Sequence, residues 1–325
     1  MKLERERSCI QTSFKAEMKV YLNRTPVVGP WGGGNKTLTQ LVQKLKERGH
    51  EVVFELTHKD INVYFCFDPR PNQLGDWYGS IYECKNNFGG KIVQRVGDVG
   101  THSKPELTEL VRQTVPHTDH VIFPSHWAMN YIDAEIQKHT VIFNSPLSTF
   151  HIHKDGTKKL VDNKKVRIVT HHWSDNPKKG FDLYSKLDDI LPKFNYEFTY
   201  IGRLPSGFKL KNSRCIEPIN AKSLAKELPK HDIYLTASIE EAGANHVLEA
   251  LACGLPVVYH EKGGSIPEYC DPWGGISFCN FDTMIKSINK MIDEHDRVKA
   301  DVLTYSLYLE KEITRYIEVI ENVIK

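Results

Sequence analysis

Residues 232–268, DIYLTASIEEAGANHVLEALACGLPVVYHEKGGSIPE, switch between strand-like and helix-like patterning within a single βαβ-sized segment. The apolar run 233–236 has the composition of a buried strand, and a loop with two carboxylates, Glu240 and Glu241, follows it. The small residues Ala242, Gly243 and Ala244, with Asn245 and His246, then open a helix that stops at Gly254, and a second buried strand starts after Pro256. A helix beginning near Gly243 presents unbonded backbone N–H groups and a positive dipole end. At the carboxyl edge of a parallel sheet that is a seat for phosphate. Glu241 precedes the helix and Glu249 lies within it, separated by a rise of about 10 Å, so both can face one ligand lying over the helix start. A carboxylate accepts from two hydroxyls at once, which suits ribose and hexose diols.

Outward from this segment, short β-branched runs alternate with helical stretches along the chain, the pattern of parallel sheets built from βαβ units. The expected strands are 19–22, 52–56, 63–67, 91–96, 121–123 and 141–143, then 166–170, 198–201, 233–236, 257–259 and 276–278. Leu38, Leu41, Val42 and Leu45 recur at helical spacing and end at Gly49. The polar, basic stretch 151–165 carries no apolar periodicity and reads as a linker. Residues 1–17 read as a flexible extension, 18–150 as a first Rossmann-like domain and 166–304 as a second. In 305–325, Ile313, Tyr316, Ile317, Ile320 and Ile324 form one stripe at 3.6-residue spacing, a helix that must dock on something.

Composition narrows the classes. The 325 residues carry 43 Lys and Arg against 41 Asp and Glu, a formal charge of +2 that gives no ground for nucleic-acid binding. A charged ligand must therefore be held by a local site. No apolar run is long enough to span a membrane, and residues 1–17 lack the apolar centre of a signal peptide, which points to the cytoplasm and leaves peripheral membrane association open. The seven cysteines contain no CxxC pair, arguing against a disulfide framework or structural zinc site. The histidine pairs His151/His153 and His171/His172 have no carboxylate at ligand spacing beside them.

The segment 238–268 resembles the donor-site signature of glycosyltransferase family 4, retaining nucleotide-sugar enzymes of the GT-B fold. The resemblance stands on Ser238, Glu241, Gly243, Glu249-Ala-Leu-Ala-Cys-Gly254, Pro256-Val-Val258, and Gly263-Gly264 through Glu268. It implies two Rossmann-like domains facing a cleft, with the final helix crossing back to the first. It assigns the nucleotide ribose to Glu249 and the transferred sugar to Glu241. Gly243, Ala244, Asn245 and His246 fall in its donor-binding turn. A second stretch, 170–184 (THHWSDNPKKGFDLY), resembles the family's diphosphate clamp, with Lys179-Gly180 in the Lys-Gly position. His172, Trp173 and Ser174 stand where the family carries an Arg, so a second cation must come from Lys178 or elsewhere, or else Lys179 and the helix start act alone. Arg203, in the Gly-Arg-Leu of 202–204, is a further candidate for reaching the donor.

In the first domain, Gly32, Gly33 and Gly34 precede a helix and allow close backbone approach to an anion. They are similar to the family's Gly-rich first loop. A P-loop is missed by the inserted Asn35, and a dinucleotide fingerprint fails at Thr37, where its third glycine is due. Arg95, Asp98 and His102 lie at or beyond a strand end, where open α/β sheets bind ligands, and are placed with the catalytic set. The implied activity is metal-independent, retaining transfer of a hexosyl unit from a nucleoside-diphosphate sugar, UDP- or GDP-linked, to a carbohydrate or glycoconjugate hydroxyl, without a cofactor. No Asp-x-Asp motif appears, and the near candidates Asp188-Asp189 and Asp293-Glu294-x-Asp296 sit in predicted helices. Two other readings remain: a catalytically silent nucleotide-sugar-binding module, and a P-loop phosphohydrolase using Lys36.

Overall fold

The computed structural model describes residues 17–27, 33–152, 160 and 165–325. Gly32, the extension up to residue 16 and most of the linker 151–165 lie outside the described residues. Two six-stranded parallel sheets account for the strands. The first holds β1 (Lys19–Leu22), β2 (Glu51–Val53), β3 (Val63–Cys66), β4 (Lys91–Arg95), β5 (His120–Phe123) and β6 (His139–Val141), in the order β2-β1-β3-β4-β5-β6. The second holds β7 (Val166–His172), β8 (Tyr196–Gly202), β9 (Arg214–Ile216), β10 (Ile233–Thr236), β11 (Val257–His260) and β12 (Ile276–Phe278), ordered β12-β11-β10-β7-β8-β9. The central strands are buried along their length, as strands covered on both faces by helices must be.

The expectation from sequence differs at several elements: β2 stops at Val53, three residues short, while β7 extends to His172 and β8 begins at Tyr196. Strand β9 was not anticipated, because its three residues, Arg-Cys-Ile, sit at a sheet edge and carry no apolar pattern. Strand β6 begins two residues early, at His139. The signature helix runs Asn245–Ala252, starting past Gly243 rather than at it.

Strand order reverses between β1 and β3 and between β10 and β7. Loops leave such a point in opposite directions and open a crevice at the carboxyl ends of the strands, where ligands of open α/β sheets bind. Loops at the carboxyl ends of the two sheets meet, with Thr101 and His102 after β4 and Ser125 after β5 bonding the loop after β10. The helix Leu309–Asn322 packs on the helix Gly33–Glu47, burying Leu309, Ile313, Tyr316, Ile317 and Ile320 with Leu38, Leu41 and Leu45. Each such side chain contributes about 1.5–3 kcal/mol on burial, enough to fix this helix to the first sheet. Ile324 falls beyond the helix end and is 43% exposed, off the buried stripe. Among the described residues no helix is long and apolar enough to cross a membrane.

Candidate active site

Strand β7 ends in His172, and the chain then turns through Trp173 and Ser174 into a short 3-10 turn, Pro177–Lys179. The Asn176 side chain accepts the Lys178 N–H at 3.0 Å and caps that turn. Gly180 follows with φ +83, and a Cβ there would lie 2.4 Å from the Ala237 side chain. Only glycine lets this turn close against the end of β10. The result fixes Lys179, whose ammonium meets the Glu241 carboxylate from the β10 loop, with both side chains largely buried. Burial by itself raises the Glu241 pKa. Lys179 foremost, with His246 and His102, overrides that and brings it down to about 2.

His172 does not replace the missing Arg. Its ring is buried and bonds Tyr184 Oη at 2.9 Å, and desolvation, with His246 and Lys179 adding, holds its pKa well below the usual histidine range. It is a neutral core group. His246 is likewise buried, its Nε2 3.1 Å from Thr236 Oγ1, and desolvation lowers its pKa to about 3. Both rings therefore build the floor under the loop instead of carrying charge into the cleft.

The β10 loop is held from the first domain along most of its length. Thr101 Oγ1 donates to Glu240 O at 2.7 Å, His102 Nε2 to Ile239 O at 3.0 Å, and Ser125 Oγ to Ala242 O at 2.7 Å. Asn144 Nδ2 donates to Gly243 O at 3.2 Å. Lys178 bonds both Thr101 O and the Glu240 carboxylate. A Cβ on Gly243 would come 2.4 Å from Asn144 Nδ2, so packing against the first domain accounts for this glycine. Ala244 N–H already donates to Ser265 Oγ at 3.1 Å, and Asn245 N–H to Gly243 O at 2.9 Å. The phosphate seat expected at this helix start thus offers fewer unbonded donors than the sequence suggested.

Glu268 closes the same face. Its carboxylate accepts from the backbone N–H groups of His126 and Trp127 and from His126 Nδ1, at 3.0–3.1 Å, at the start of the helix His126–Ile132. Ser125 is the N-cap of that helix and accepts the Ala128 N–H at 2.9 Å, so one hydroxyl both caps a first-domain helix and grips the β10 loop.

Glu249 has two partners that sequence reasoning missed. Lys36 Nζ, from the first-domain helix, lies 2.9 Å from Oε1, and His171 Nε2 donates to Oε2 at 2.9 Å. His171 Nδ1 faces the Tyr234 hydroxyl at 3.1 Å, which fixes the ring with its proton toward Glu249. Burial raises the Glu249 pKa, Lys36 and His171 lower it, and the balance is about 2. Lys36 entered the sequence reading only as a near-miss P-loop lysine, and no spacing rule links it to a carboxylate 213 positions away. Next to it, Gly33 abuts Asn245, the first residue of the signature helix.

Two hollows are present, one between the domains and one within the first. One, about 630 Å3, is walled from both domains by Asp98, His102, Ser174, Asn176, Glu241 and Gly243. The other, about 320 Å3, occupies the switch point of the first sheet and takes in Gly34, Phe67, Arg95 and Asp98. Asp98 pairs with Lys104 at 2.8 Å, and Arg95 is buried beside Asn144. Arg203 is exposed just past β8, and its described contacts are backbone ones with His172 and Tyr200. No group of three His, Cys, Asp or Glu among the described residues is arranged to hold a metal ion.

Residues 168–294, most of the second sheet with its loops, match the family described as Glycosyl transferases group 1. The whole chain has the GT-B architecture. Its structure is similar to HepE from Anabaena, solved in complex with UDP and glucose, at TM-score 0.69 and 11% identity, covering 94% of this chain and 100% of that one. A glycosyltransferase from Rickettsia africae gives 0.67 at 10% identity over 95% and 99% of the two chains. Sucrose-phosphate synthase from Thermosynechococcus elongatus gives 0.63 at 13% identity over 95% and 96%. Comparison with curated protein sequences yields no match.

Proposed function

We propose that this protein is a retaining family 4 glycosyltransferase that moves a hexosyl unit from a nucleoside-diphosphate sugar to an acceptor hydroxyl on a carbohydrate or glycoconjugate, in the cytoplasm, without a metal or other cofactor. The observation that carries the reading is the buried Lys179–Glu241 pair, whose Glu241 lines the interdomain cleft, inside the stretch that matches the glycosyltransferase family. UDP with glucose in the HepE structure supports a nucleotide-sugar donor, and UDP- or GDP-linked sugars are the first to test.

In this reading the donor diphosphate lies beside Lys179 and the β10 loop. The bond from the anomeric carbon to the phosphate oxygen breaks, and charge collects on the departing diphosphate. Lys179 is already held in place by Glu241, so it stabilises that charge with little rearrangement. The acceptor oxygen bonds the anomeric carbon on the face the phosphate leaves, and its proton passes to a phosphate oxygen. Glu241 contacts the transferred sugar. Glu249 receives the ribose hydroxyls, which take the place of the Lys36 ammonium on Oε1. Lys178 serves as the second cation, since His172 is neutral. Gly33, Gly34, Trp173 and Ser174 border the donor, and Asp98 and His102 border the acceptor side.

A panel of UDP-, GDP-, ADP- and dTDP-linked sugars tests this by thermal shift and by release of free nucleotide. One member should raise the melting temperature and be cleaved, slowly by water and faster with an acceptor. Binding without any cleavage or transfer would establish the silent module instead, a reading favoured by the neutral His172 in the Arg position. Magnesium-dependent turnover of a nucleoside triphosphate, lost in Lys36→Ala, would move the site to the first domain. The Lys36–Glu249 pair opposes that, because this lysine faces a carboxylate.

A further inference from the structure

The 320 Å3 hollow at the first-sheet switch point has a floor of Leu38, Phe67, Leu107 and Val111. Four charged side chains reach its wall: Arg24, Asp68, Arg95 and Asp98. Asp68 accepts from Arg70 Nε at 3.0 Å and Nη2 at 2.7 Å and lies 3.5 Å from Arg24. Arg24 also donates to the carbonyls of Asn23 and Arg70. Asp98 is paired with Lys104. Arg95 differs from all of these, having no carboxylate partner among the described residues.

Arg95 is 5% exposed, and its guanidinium lies over the Phe67 ring at 4.9 Å. Among the described residues its only side-chain hydrogen bond is from Nη2 to the neutral Asn144 Oδ1, at 3.3 Å, and Nε is buried with no acceptor among them. A guanidinium remains charged at any accessible pH, and its planar donors match a carboxylate or phosphate. Among the described residues the hollow therefore contains one permanent cation without its counter-charge, on an apolar floor. It shares Gly97 and Asp98 with the lining of the interdomain cleft containing Glu241. Arg95 itself lines the hollow and not that cleft.

We infer that the hollow binds the acceptor through an anionic group, a carboxylate or a phosphate, received by Arg95, with the rest of the molecule against the apolar floor and its reacting hydroxyl reaching the cleft past Asp98. The word acceptor rests on the transferase reading above. The anion site does not.

Titration calorimetry without donor tests it, using hexyl β-D-glucuronide, hexyl β-D-glucoside 6-phosphate and neutral hexyl β-D-glucoside. Wild-type protein is expected to prefer at least one anionic probe over the neutral one by about tenfold or more, as a charge-assisted pair in a desolvated site provides. The probe preferred identifies carboxylate or phosphate as the group. The preference should vanish in Arg95→Gln and largely return in Arg95→Lys, with melting temperatures confirming that each variant is folded. Equal binding of all three probes, binding of none, or a preference kept in Arg95→Gln would overturn the inference. So would a loss of nucleoside-diphosphate affinity in Arg95→Gln with the probe preference intact, since Arg95 would then serve the donor. If wild-type protein binds no nucleoside diphosphate yet keeps the Arg95-dependent preference, the transferase reading falls and the anion site stands.

Discussion

The crevice of the second sheet and the crevice of the first are built on the same topology but balance their charges differently. At the second, Glu240, Glu241, Glu249 and Glu268 each have a lysine or histidine against them, and two of those partners, Lys36 and His126, come from the opposite domain. At the first, Asp68 and Asp98 are matched locally and Arg95 is left with a neutral amide. Paired charges in low dielectric hold a loop in one arrangement, because removing either partner strands the other. An unmatched cation instead makes a hollow receptive to an arriving anion. The contrast separates a rigid, preorganised wall from a wall whose last partner comes from outside.

Acid should break the first half of this comparison most completely, since it reaches Glu241 and Glu249 together. Both have folded-state pKa values near about 2, below the ordinary 4.5, so the folded protein prefers them ionised. Their stabilisation is complete above pH 4.5, declines as pH falls below it, and is gone near pH 2. The melting-temperature gap between wild type and Glu249→Gln should therefore narrow steadily over that range. A gap independent of pH would contradict the burial of a charged Glu249.

Lys179→Ala leaves Glu241 buried without its cation. The expected cost is about 3–5 kcal/mol in denaturant unfolding. Donor turnover should fall about 100- to 1000-fold, the range for losing one fixed stabiliser of developing charge. If stability drops while turnover survives, the pair is structural only and the diphosphate lies elsewhere. Glu249→Ala acts on binding, and nucleotide affinity measured calorimetrically should weaken by about 1.5–3 kcal/mol. Glu241→Ala should instead reduce turnover more than affinity, and unchanged kinetics in both variants would refute the two assignments. Ser125→Ala has the smallest effect: loss of a helix cap together with a bond to the β10 loop costs about 1–2 kcal/mol by thermal unfolding. A neutral result would mean that Glu268 holds that helix start alone.

Much of the second crevice was legible because its parts are consecutive. The strand, the carboxylate loop, the helix and the next strand of 232–268 follow one another, and Lys179-Gly180 carries its own turn signal. Local periodicity and small-residue spacing record such features directly. Strand β9 was not legible, since three residues at an edge need only a neighbouring strand to pair with. The roles of His172 and His246 were not legible either: whether a histidine after a strand enters solvent or the core depends on neighbours such as Tyr184 and Thr236.

The amino-acid order alone determined two alternating βα patterns, the helix stops and turns, the apolar stripe of the last helix and the donor-type signature, because each is written within a few turns of chain. Only the tertiary structure decided which charges meet. Lys36 reaching Glu249, Ser125 gripping Ala242, Glu268 capping a helix of the other domain and Arg95 meeting the neutral Asn144 all follow from distances between segments far apart in the chain. Electrostatic and hydrogen-bonding energies depend on separation in space and on burial, and neither is a property of neighbouring letters.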